Sequence, residues 1–426
     1  MEQVKIALIG AGQRGHVYTK YALLNPHEVK VVAVAESDPL RRKAFRDLHE
    51  IEPDNVFEDW RDLLAAPKMA DAVLICLQDR MHFEPTNQAL EMGYHVLLEK
   101  PMSTNPLECL MMGEKADNTD RHFDICHVLR YSPFFAALKQ LLESGRIGRL
   151  MSIQHNENVA HWHQAHSYVR GNWRRSDESS PMILAKSCHD LDILLWLAGA
   201  DCVRVSSFGS LSHFRSENAP EGAPTHCIHG CPVQDQCLYY APNTYLTDNT
   251  DWPTAVISND MSYEARAEAL RTGPYGRCVY RCDNDVVDHQ VVNLEFANEV
   301  TAAFTMSAFT NENHRTIKLM GTLGEIRGAM DKNEIEIIRF GNGKPEIITL
   351  EDVDGHVGHG GGDLRLIANF VSSLRGKEAN DSRTSAQISV QSHLMAFAAE
   401  QSRLTRQVVE MDRYTQDLML SGRSST

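Results

Sequence analysis

The stretch that decides the fold lies at residues 4–15 of the 426-residue chain, VKIALI followed by Gly10-Ala11-Gly12-Gln13-Arg14-Gly15. The apolar run is typical of a buried strand, and the residues after the glycines have helical character. A second β-branched run, residues 29–35, ends in Glu36, which stands 21 residues after Gly15. This order of strand, glycine turn, helix, strand and acid predicts a dinucleotide-binding turn.

Each glycine of the turn has a separate task. Gly10 permits the tight turn, Gly12 lets the backbone approach a pyrophosphate, and Gly15 allows the helix to pack closely on the strand. Gln13 and Arg14 begin the helix, where free amide groups and the helix dipole attract phosphate. We therefore predict that these residues bind a dinucleotide cofactor.

The acid at the end of the second strand bears on the choice of cofactor. A carboxylate at Glu36 can accept hydrogen bonds from the adenosine ribose diol of NAD. Arg41 and Arg42 follow a few residues later and could instead bind the 2′-phosphate of NADP. We predict NAD, with NADP as the open alternative.

The alternation of strands and helices continues to about residue 128. Apolar runs at 70–77 and 94–98 indicate further buried strands, with helical spacing at 82–92 between them. Strands that alternate with helices form a parallel sheet, and ligands lie beyond the carboxyl ends of such strands. Lys100 stands at one such end, where it can reach a cofactor ribose or a substrate hydroxyl.

Several short motifs together resemble those of the Gfo/Idh/MocA oxidoreductase family, which includes glucose–fructose oxidoreductase and inositol dehydrogenase. They are Gly10-x-Gly12-x-x-Gly15, His82, Glu99-Lys100-Pro101 and His127-x-x-Arg130-Tyr131. The resemblance implies a Rossmann domain with a doubly wound parallel sheet in residues 1–128. It implies that Lys100 contacts the nicotinamide and the substrate, next to a proline that is usually cis. It also implies that His82 and Glu99 line the cofactor site, and that Arg130 and Tyr131 face the substrate.

Residues 129–426 form a second predicted unit, for substrate binding and oligomerisation. Short β-rich runs such as 150–154, 203–211 and 291–296 alternate apolar with polar side chains. That pattern predicts an α+β domain with a large, mostly antiparallel open sheet, one face of which is covered by helices. The resemblance implies that the other face joins subunits into a homodimer or homotetramer.

The segment 180–199 carries the second predicted catalytic group. Lys186 and His189 lie three positions apart, on one face of a predicted helix. In the resembled family the matching histidine transfers a proton, and an aspartate stands four positions earlier, where this chain has Ala185. A Lys186 ammonium would lower the pKa of His189 and favour a neutral base, or would hold the substrate in place of the aspartate. We predict Lys100, Lys186 and His189 as the catalytic residues.

Two further segments predict a substrate surface for a carbohydrate. Residues 161–174 are dense in aromatic and hydrogen-bonding side chains, among them His166, Trp173 and Arg174, and such surfaces bind sugars. Residues 356–363 form a glycine-rich loop in which His359 could contact a polyol. The alternatives are a loop packed under the sheet for the first segment and a helix entry capped by Asp363 for the second.

Half of the ten cysteines fall in an irregular, Cys-rich insertion at about 212–282, namely Cys227, Cys231, Cys237, Cys278 and Cys282. A loop of this length is usually functional or needs a staple, and reducing compartments disfavour disulfides. We predict that four of the thiolates bind a structural zinc ion or an iron–sulfur cluster, with His226 or His229 in reserve. The alternative is that the thiols carry no ligand.

The composition excludes some classes of partner. Lys and Arg number 42 against 57 Asp and Glu, a net charge of −15, which argues against nucleic acid as a partner. The first residues lack a secretory pattern, and no apolar run is long enough to span a membrane. We expect a cytoplasmic protein that binds small molecules.

The predicted activity is hydride transfer between a hydroxyl carbon of a sugar or polyol and the nicotinamide of NAD, with His189 accepting the proton. One alternative keeps the fold but cleaves glycosides by transient oxidation, elimination and re-reduction. Two alternatives of another class are a non-catalytic NAD-sensing regulator and an iron–sulfur electron carrier. The sequence leaves the sugar and the reacting carbon open.

Overall fold

The computed structural model describes residues 3–341, 343–350, 358–376 and 383–423, which form two sheets with helices packed around them. The first sheet has six parallel strands and the second has nine mostly antiparallel strands. This confirms the predicted fold class, an N-terminal doubly wound Rossmann sheet followed by an α+β unit with a large open sheet.

The strand that precedes the glycine turn lies near the middle of the first sheet. The strand order is β3-β2-β1-β4-β5-β6, and β1 pairs in parallel with both β2 and β4. Since the order reverses between β1 and β4, a crevice opens beyond the carboxyl ends of these two strands. The strands are β1 Val4–Ile9, β2 Val29–Ala35, β3 Val56–Phe57, β4 Ala72–Ile75, β5 His95–Leu98 and β6 Phe123–Ile125.

Helices cover both faces of this sheet because its strands are apolar on both sides. Leu8 belongs to a buried cluster with Tyr18 and Phe45 on one face. Ile9 belongs to a second cluster with Trp60 on the other. The helices are α1 Gln13–Leu24, α2 Pro39–His49, α3 Trp60–Ala65, α4 Phe83–Glu91 and α5 Pro106–Asp117.

The second sheet has the strand order β14-β13-β12-β11-β7-β10-β9-β8-β15. β10 and β7 pair in parallel, and the other described pairs are antiparallel. The strands are β7 Leu150–Asn158, β8 Cys202–Ser210, β9 His289–Phe296, β10 Thr301–Ser307, β11 Arg315–Gly321, β12 Gly324–Ala329, β13 Glu334–Arg339, β14 Glu346–Thr349 and β15 Val409–Glu410.

One face of the second sheet is buried under helices. In β9 the buried and exposed residues alternate, so Val292 and Leu294 join a cluster that includes Leu191 and Met395 from covering helices. The remaining helices are α6 Pro133–Glu143, α7 His161–His163, α8 Met182–Ala185, α9 Cys188–Ala198, α10 Ala241–Tyr245, α11 Tyr263–Thr272, α12 Gly362–Leu374, α13 Ala386–Thr405 and α14 Met411–Arg423.

Helix α12 brings a late part of the chain back to the first sheet. Although it follows the second sheet in sequence, its Leu366, Ile367 and Phe370 pack in the same cluster as Leu8 of β1. Gly362, at the start of α12, lies so close to Val128 that a Cβ there would stand 2.2 Å from the Val128 carbonyl oxygen. The start of α12 is thereby fixed beside the crevice of the first sheet.

Between β8 and β9 lies the irregular, cysteine-rich segment that the sequence predicts as an insertion. Residues 211–288, all of them described, contain two short helices, α10 and α11, and several single turns. They have a small core of their own, formed by Ala241, Tyr245 and Leu270 together with Cys227, Cys231 and Cys278. We call residues 211–288 the insertion.

Candidate active site

The glycine turn has the geometry of a phosphate-binding turn. Gly10 has φ +93°, and a Cβ there would lie 2.5 Å from the Cys76 carbonyl oxygen, so only glycine fits. A Cβ at Gly15 would lie 2.5 Å from the Gly10 carbonyl oxygen. A Cβ at Gly12 would have no neighbour within 4 Å, so this glycine faces open space. The residues present therefore leave room for the pyrophosphate of a dinucleotide to lie close to the backbone of the turn.

The start of α1 adds donors to the same space. Gly12 is the N-cap of α1 and supplies no capping side chain, so the helix begins without a side-chain hydrogen bond to its first amide groups. Gln13 and Arg14 are the first two helical residues. Their backbone amides and the positive end of the helix dipole suit a pyrophosphate anion.

Glu36 lies directly beneath this turn. One carboxylate oxygen accepts a hydrogen bond from the Ala11 amide at 2.8 Å, and the other accepts one from the Asp38 amide at 3.0 Å. The neighbouring Arg42 is engaged elsewhere, because its guanidinium donates to the backbone carbonyl of Ser37 at 3.1 Å. A fixed carboxylate at the end of β2 suits an adenosine ribose diol better than it suits a 2′-phosphate.

A charged network joins the glycine turn to β5 and α12. The Arg14 Nε atom lies 2.7 Å from a Glu99 oxygen, and Arg14 Nη2 lies 2.6 Å from an Asp363 oxygen. Asp363 is fully buried and also pairs with His359 at 3.2 Å. Burial alone would raise the pKa of Asp363, but the charges of His359 and Arg14 and their hydrogen bonds hold it below its usual range.

Lys100 follows Glu99 at the carboxyl end of β5. The Lys100–Pro101 peptide bond is cis, as the resemblance implied. The Lys100 ammonium donates to the Ala185 carbonyl at 2.8 Å, which brings it to the segment that carries His189. His82 stabilises the turn that follows β5. Its buried ring lies 2.7 Å from the Pro101 carbonyl oxygen and 3.1 Å from that of Leu77.

His189 lies near the start of α9 and is only 4 % exposed. Its Nδ1 atom is buried and has no hydrogen-bond partner among the described residues. Burial lowers the pKa of His189 well below its usual value, and the charge of Lys100 lowers it further. His189 is therefore neutral near pH 7 and can accept a proton.

Lys186 occupies a different position from the one that the helical spacing predicts. α8 ends at Ala185 and α9 begins at Cys188, so Lys186 and His189 do not share one continuous helix. The cation that chiefly acts on His189 is Lys100 rather than Lys186. The Lys186 Nζ atom instead lies 3.3 Å from Glu157, which also pairs with Arg315 at 2.6 Å.

A group of buried charges supports the site from the second sheet. The Arg315 Nε atom lies 2.7 Å from Asp190, and the His155 ring lies 2.8 Å from the same carboxylate oxygen. Together with Glu157 these side chains connect β7, β11 and α9. Because the charges are paired, the group fixes the start of α9, where His189 lies.

Two residues predicted to face the substrate, Arg130 and Tyr131, have protein partners in the structure. The Arg130 guanidinium makes two hydrogen bonds of 2.6 Å with Asp192 and a third, of 2.8 Å, with the Arg383 carbonyl. The Tyr131 hydroxyl lies 3.1 Å from the Asn369 side-chain oxygen. Both residues are buried at the join between the two sheets, where they hold elements together.

Three more predicted substrate residues contact the insertion or the loop after β4. His166 lies 2.8 Å from the Tyr245 hydroxyl. Trp173 donates to Asp79 at 3.3 Å. Arg174 pairs with Asp283 at 3.0 Å. Residues 161–170 are helical, so the segment is not the loop under the sheet that the alternative described, although most of its side chains are buried.

The predicted metal staple is not supported. All ten cysteines are described and free, and among the described residues no group of three or more His, Cys, Asp or Glu side chains is arranged to hold a metal ion. The buried side chain of Arg170 instead connects the insertion to the rest of the second unit. Arg170 donates to the carbonyls of Arg277 at 2.7 Å and Tyr239 at 2.6 Å, and to the Cys227 thiol at 3.7 Å.

Two more residues contribute to the site: Asp79, which sequence reasoning missed, and His127, which it named only as part of a family motif. Asp79 accepts hydrogen bonds from Ser179 at 3.1 Å and Ser180 at 2.7 Å, and so joins the end of β4 to the segment before His189. Its place just after a buried strand was the available signal. His127 is fully buried, and neither ring nitrogen has a hydrogen-bond partner among the described residues, although Nε2 lies 3.8 Å from Asp192. Its ring centroid lies 5.9 Å from that of His189.

Comparison with known families assigns the class of protein. Residues 4–127 match the model of an oxidoreductase family with an NAD-binding Rossmann fold, and residues 139–411 match the C-terminal alpha/beta domain of the same family. The chain is thus an NAD-binding oxidoreductase in class. It belongs to the Gfo/Idh/MocA family.

Individual relatives are distant but extend over much of the chain. A putative oxidoreductase, YteT, of Bacillus subtilis is 23 % identical over 365 residues, 80 % of this chain and 82 % of that protein. The scyllo-inositol 2-dehydrogenase (NAD(+)) of the same organism is 26 % identical over 284 residues, 64 % of this chain and 69 % of that protein.

Solved structures show the same fold. A levoglucosan dehydrogenase in complex with NADH and levoglucosan has a TM-score of 0.71 at 18 % identity, covering 96 % of this chain and 100 % of that one. An oxidoreductase from Agrobacterium radiobacter in complex with NAD+, L-tartaric acid and magnesium has a TM-score of 0.69 at 17 % identity, covering 97 % of this chain and 99 % of that one. Separately, no described helix is both long and apolar enough to cross a membrane.

Proposed function

We propose that the protein transfers a hydride between a hydroxyl carbon of a carbohydrate or polyol and the nicotinamide of NAD. The observation that carries this proposal is the meeting of Lys100 and His189 beside the crevice of the parallel sheet. Lys100 donates to Ala185, three residues before Cys188 begins α9, and its charge lowers the pKa of the enclosed His189. A fixed ammonium beside a neutral imidazole is suited to removing a hydroxyl proton.

The two side chains have separate tasks in this proposal. His189 accepts the hydroxyl proton as the carbonyl forms, and burial keeps its imidazole neutral beforehand. Lys100 hydrogen-bonds the substrate oxygen and stabilises the charge that develops there. Lys186, whose side chain is 16 % exposed and paired with Glu157, orients the substrate from the side of the second sheet.

The cofactor would be held by the groups already described. Bound NAD supplies the hydride acceptor. The glycine turn and the first amides of α1 fit its pyrophosphate, and Glu36 fits the diol of its adenosine ribose. Because Arg42 is occupied by backbone carbonyls of its own loop, we propose NAD rather than NADP as the preferred cofactor.

The substrate class rests on polar groups that lie near one another: Lys100 acts electrostatically on both His189 and Lys186, and the ring of His359 lies 5.4 Å from that of His189. Such a set suits a molecule with several hydroxyl groups. Relatives named inositol 2-dehydrogenase and a neighbour named levoglucosan dehydrogenase support the same class.

A substrate screen tests this function. Purified protein and NAD are incubated with inositols, aldoses, sugar acids and aryl glycosides, and both reduced nicotinamide and released aglycone are measured. The proposal expects NADH to form with at least one polyol or sugar. Release of an aglycone with no net NADH would overturn net oxidation and would favour the glycoside-cleaving alternative.

We also propose that the chain forms a homodimer or homotetramer and that its two units divide near residue 128. The outer face of the second sheet exposes Phe208 and Val291, which are 64 % and 40 % exposed and lie opposite each other on β8 and β9. Light scattering should give a mass of two or four chains. A monomer that persists at micromolar concentration would contradict the assembly.

A further inference from the structure

A second histidine lies beside His189, on a tight turn that leads into α12. This is His359, whose φ of +53° and that of Gly360, +60°, belong to the left-handed region. Its ring centroid lies 5.4 Å from that of His189, at an interplanar angle of 56°. A strained turn that brings a non-glycine residue to this position indicates that the side chain has a task there.

Asp363 fixes the orientation of this second ring. The carboxylate lies 3.2 Å from Nδ1 of His359, so the other ring nitrogen, Nε2, is left for a different partner. Asp363 is itself fully buried and held by Arg14. A buried carboxylate behind an imidazole selects one tautomer and stabilises the protonated ring.

The two histidines differ in their access to water. The side chain of His359 is 30 % exposed, whereas His189 is 4 % exposed. A base that is enclosed in this way can take a proton from a substrate but needs a neighbour to pass it on. His359 is that neighbour, since one bridging water or a small ring rotation can connect nitrogens of rings at this separation.

The surrounding charges favour movement of the proton outward. Lys100 disfavours a second positive charge on His189. Burial lowers the pKa of His359 below its usual value, and Arg14 and Arg315 lower it further, but the charge and hydrogen bond of Asp363 oppose this shift. No carboxylate among the causes of the His189 shift offsets burial in the same way. Arg14 is shared between two carboxylates, those of Glu99 and Asp363, so this network holds one negative charge more than positive while His359 is neutral.

We propose that the His359–Asp363 pair relays protons between His189 and solvent, a role that rests on the proposed dehydrogenase function. In the oxidation direction the C–H bond breaks and its electron pair leaves with the hydride to the nicotinamide. The O–H bond breaks and its proton passes to His189, then to His359, and then to water or a buffer base. One alcohol and one NAD+ give one carbonyl compound, one NADH and one proton. In the reduction direction the path is reversed.

The test measures kcat against buffer concentration at fixed pH and ionic strength. Wild-type turnover should be independent of imidazole buffer concentration. H359Q should lose about tenfold or more in kcat and should recover as imidazole is added, because the free base replaces the missing relay. H289Q is the matched control, since His289 is a half-exposed histidine on β9 that pairs with a buried aspartate, Asp288, at 2.7 Å. It should behave as the wild type does.

A second measurement does not depend on turnover. Imidazole nitrogens of labelled protein without cofactor are titrated by NMR, with H189Q and H359Q used for assignment. The relay requires His359 to bind its proton at a higher pH than His189 does, and D363N should lower the pH at which His359 protonates. If His189 protonates first, the proposal is wrong.

The outcomes separate this relay from the proposed function. Unchanged kcat in H359Q, or a loss that no added buffer restores, overturns the relay, while an inactive H189Q would still support the dehydrogenase. If the wild type oxidises no polyol or sugar, the proposed function fails and the relay fails with it.

Discussion

The glycine turn and the insertion both carry a short motif, yet only the turn has the structure that its motif predicts. In the turn the requirement falls on the backbone, since a Cβ at Gly10 would lie 2.5 Å from a carbonyl oxygen. In the insertion the requirement falls on four of five thiols, and among the described residues no such group is arranged as a metal site. A motif that sets backbone geometry is local, whereas one that needs converging side chains depends on the whole fold.

The largest effect that we expect is a loss of turnover when Lys100, at the carboxyl end of β5, is replaced. Lys100→Met should reduce kcat by about a thousandfold or more, because it removes the charge beside His189 and the donor to the substrate oxygen. NAD affinity, measured by fluorescence titration, should change less than about threefold, since the glycine turn is untouched.

The control is Lys68→Met, an exposed lysine that also donates to a backbone carbonyl, that of Gly93, at 2.6 Å. It should leave kcat unchanged. Turnover of Lys100→Met at the wild-type rate would refute the catalytic assignment.

The next effect concerns the stability of the insertion. Arg170→Met should lower the free energy of unfolding by about 2–4 kcal/mol, because the carbonyls of Arg277 and Tyr239 lose a buried donor. Denaturant titration gives the value. The control is Arg175→Met, which removes a partly exposed arginine paired with Asp177 at 2.5 Å. Equal stability of the two variants would show that Arg170 does not tie the insertion down.

A smaller effect is expected for the choice of cofactor. Glu36→Gln should weaken NAD binding about tenfold. The two ribose hydroxyls donate to carboxylate oxygens, and an amide offers only one oxygen acceptor. NADP binding should weaken less or improve, since a negative charge near the 2′-phosphate is removed. Calorimetric titration with each cofactor measures both affinities. An unchanged preference between the two would place the determinant elsewhere.

The smallest expected effect concerns the response of the insertion to removal of metal ions. If buried arginine and apolar packing hold it, dialysis against a strong chelator should leave the melting temperature unchanged and remove no stoichiometric zinc or iron. Elemental analysis before and after dialysis, together with thermal denaturation, gives the answer. Loss of about one metal ion per chain with a lower melting temperature would restore the metal staple.

The sequence predicts well where the determining residues are neighbours along the chain. Val4–Ile9 with its glycines located β1, and the β-branched alternation located β9. His189 was predicted as a catalytic residue from the resemblance and from the apolar helix pattern beside it, and that role stays a prediction. Its tuning cation was misassigned, since Lys186 is near in sequence whereas Lys100 is near in space.

The unpredicted part consists of contacts between distant segments. Arg14 and Asp363 are separated by 349 positions, yet their side chains meet at 2.6 Å because α12 returns to the first sheet. Arg130 and Asp192 meet at the join of the two sheets in the same way. No periodicity encodes such pairs, so the sequence indicated neither the pairing of Arg130 with Asp192 nor that of Asp363 with Arg14.

Isotope transfer tests the central claim most directly. A polyol or sugar found in the screen is prepared with deuterium on its reacting carbon and is incubated with the protein and NAD. The account predicts that deuterium appears at C4 of the reduced nicotinamide, and that this transfer is lost in Lys100→Met. NADH that carries no deuterium, or transfer that persists in the variant, would contradict hydride transfer at the site formed by Lys100 and His189.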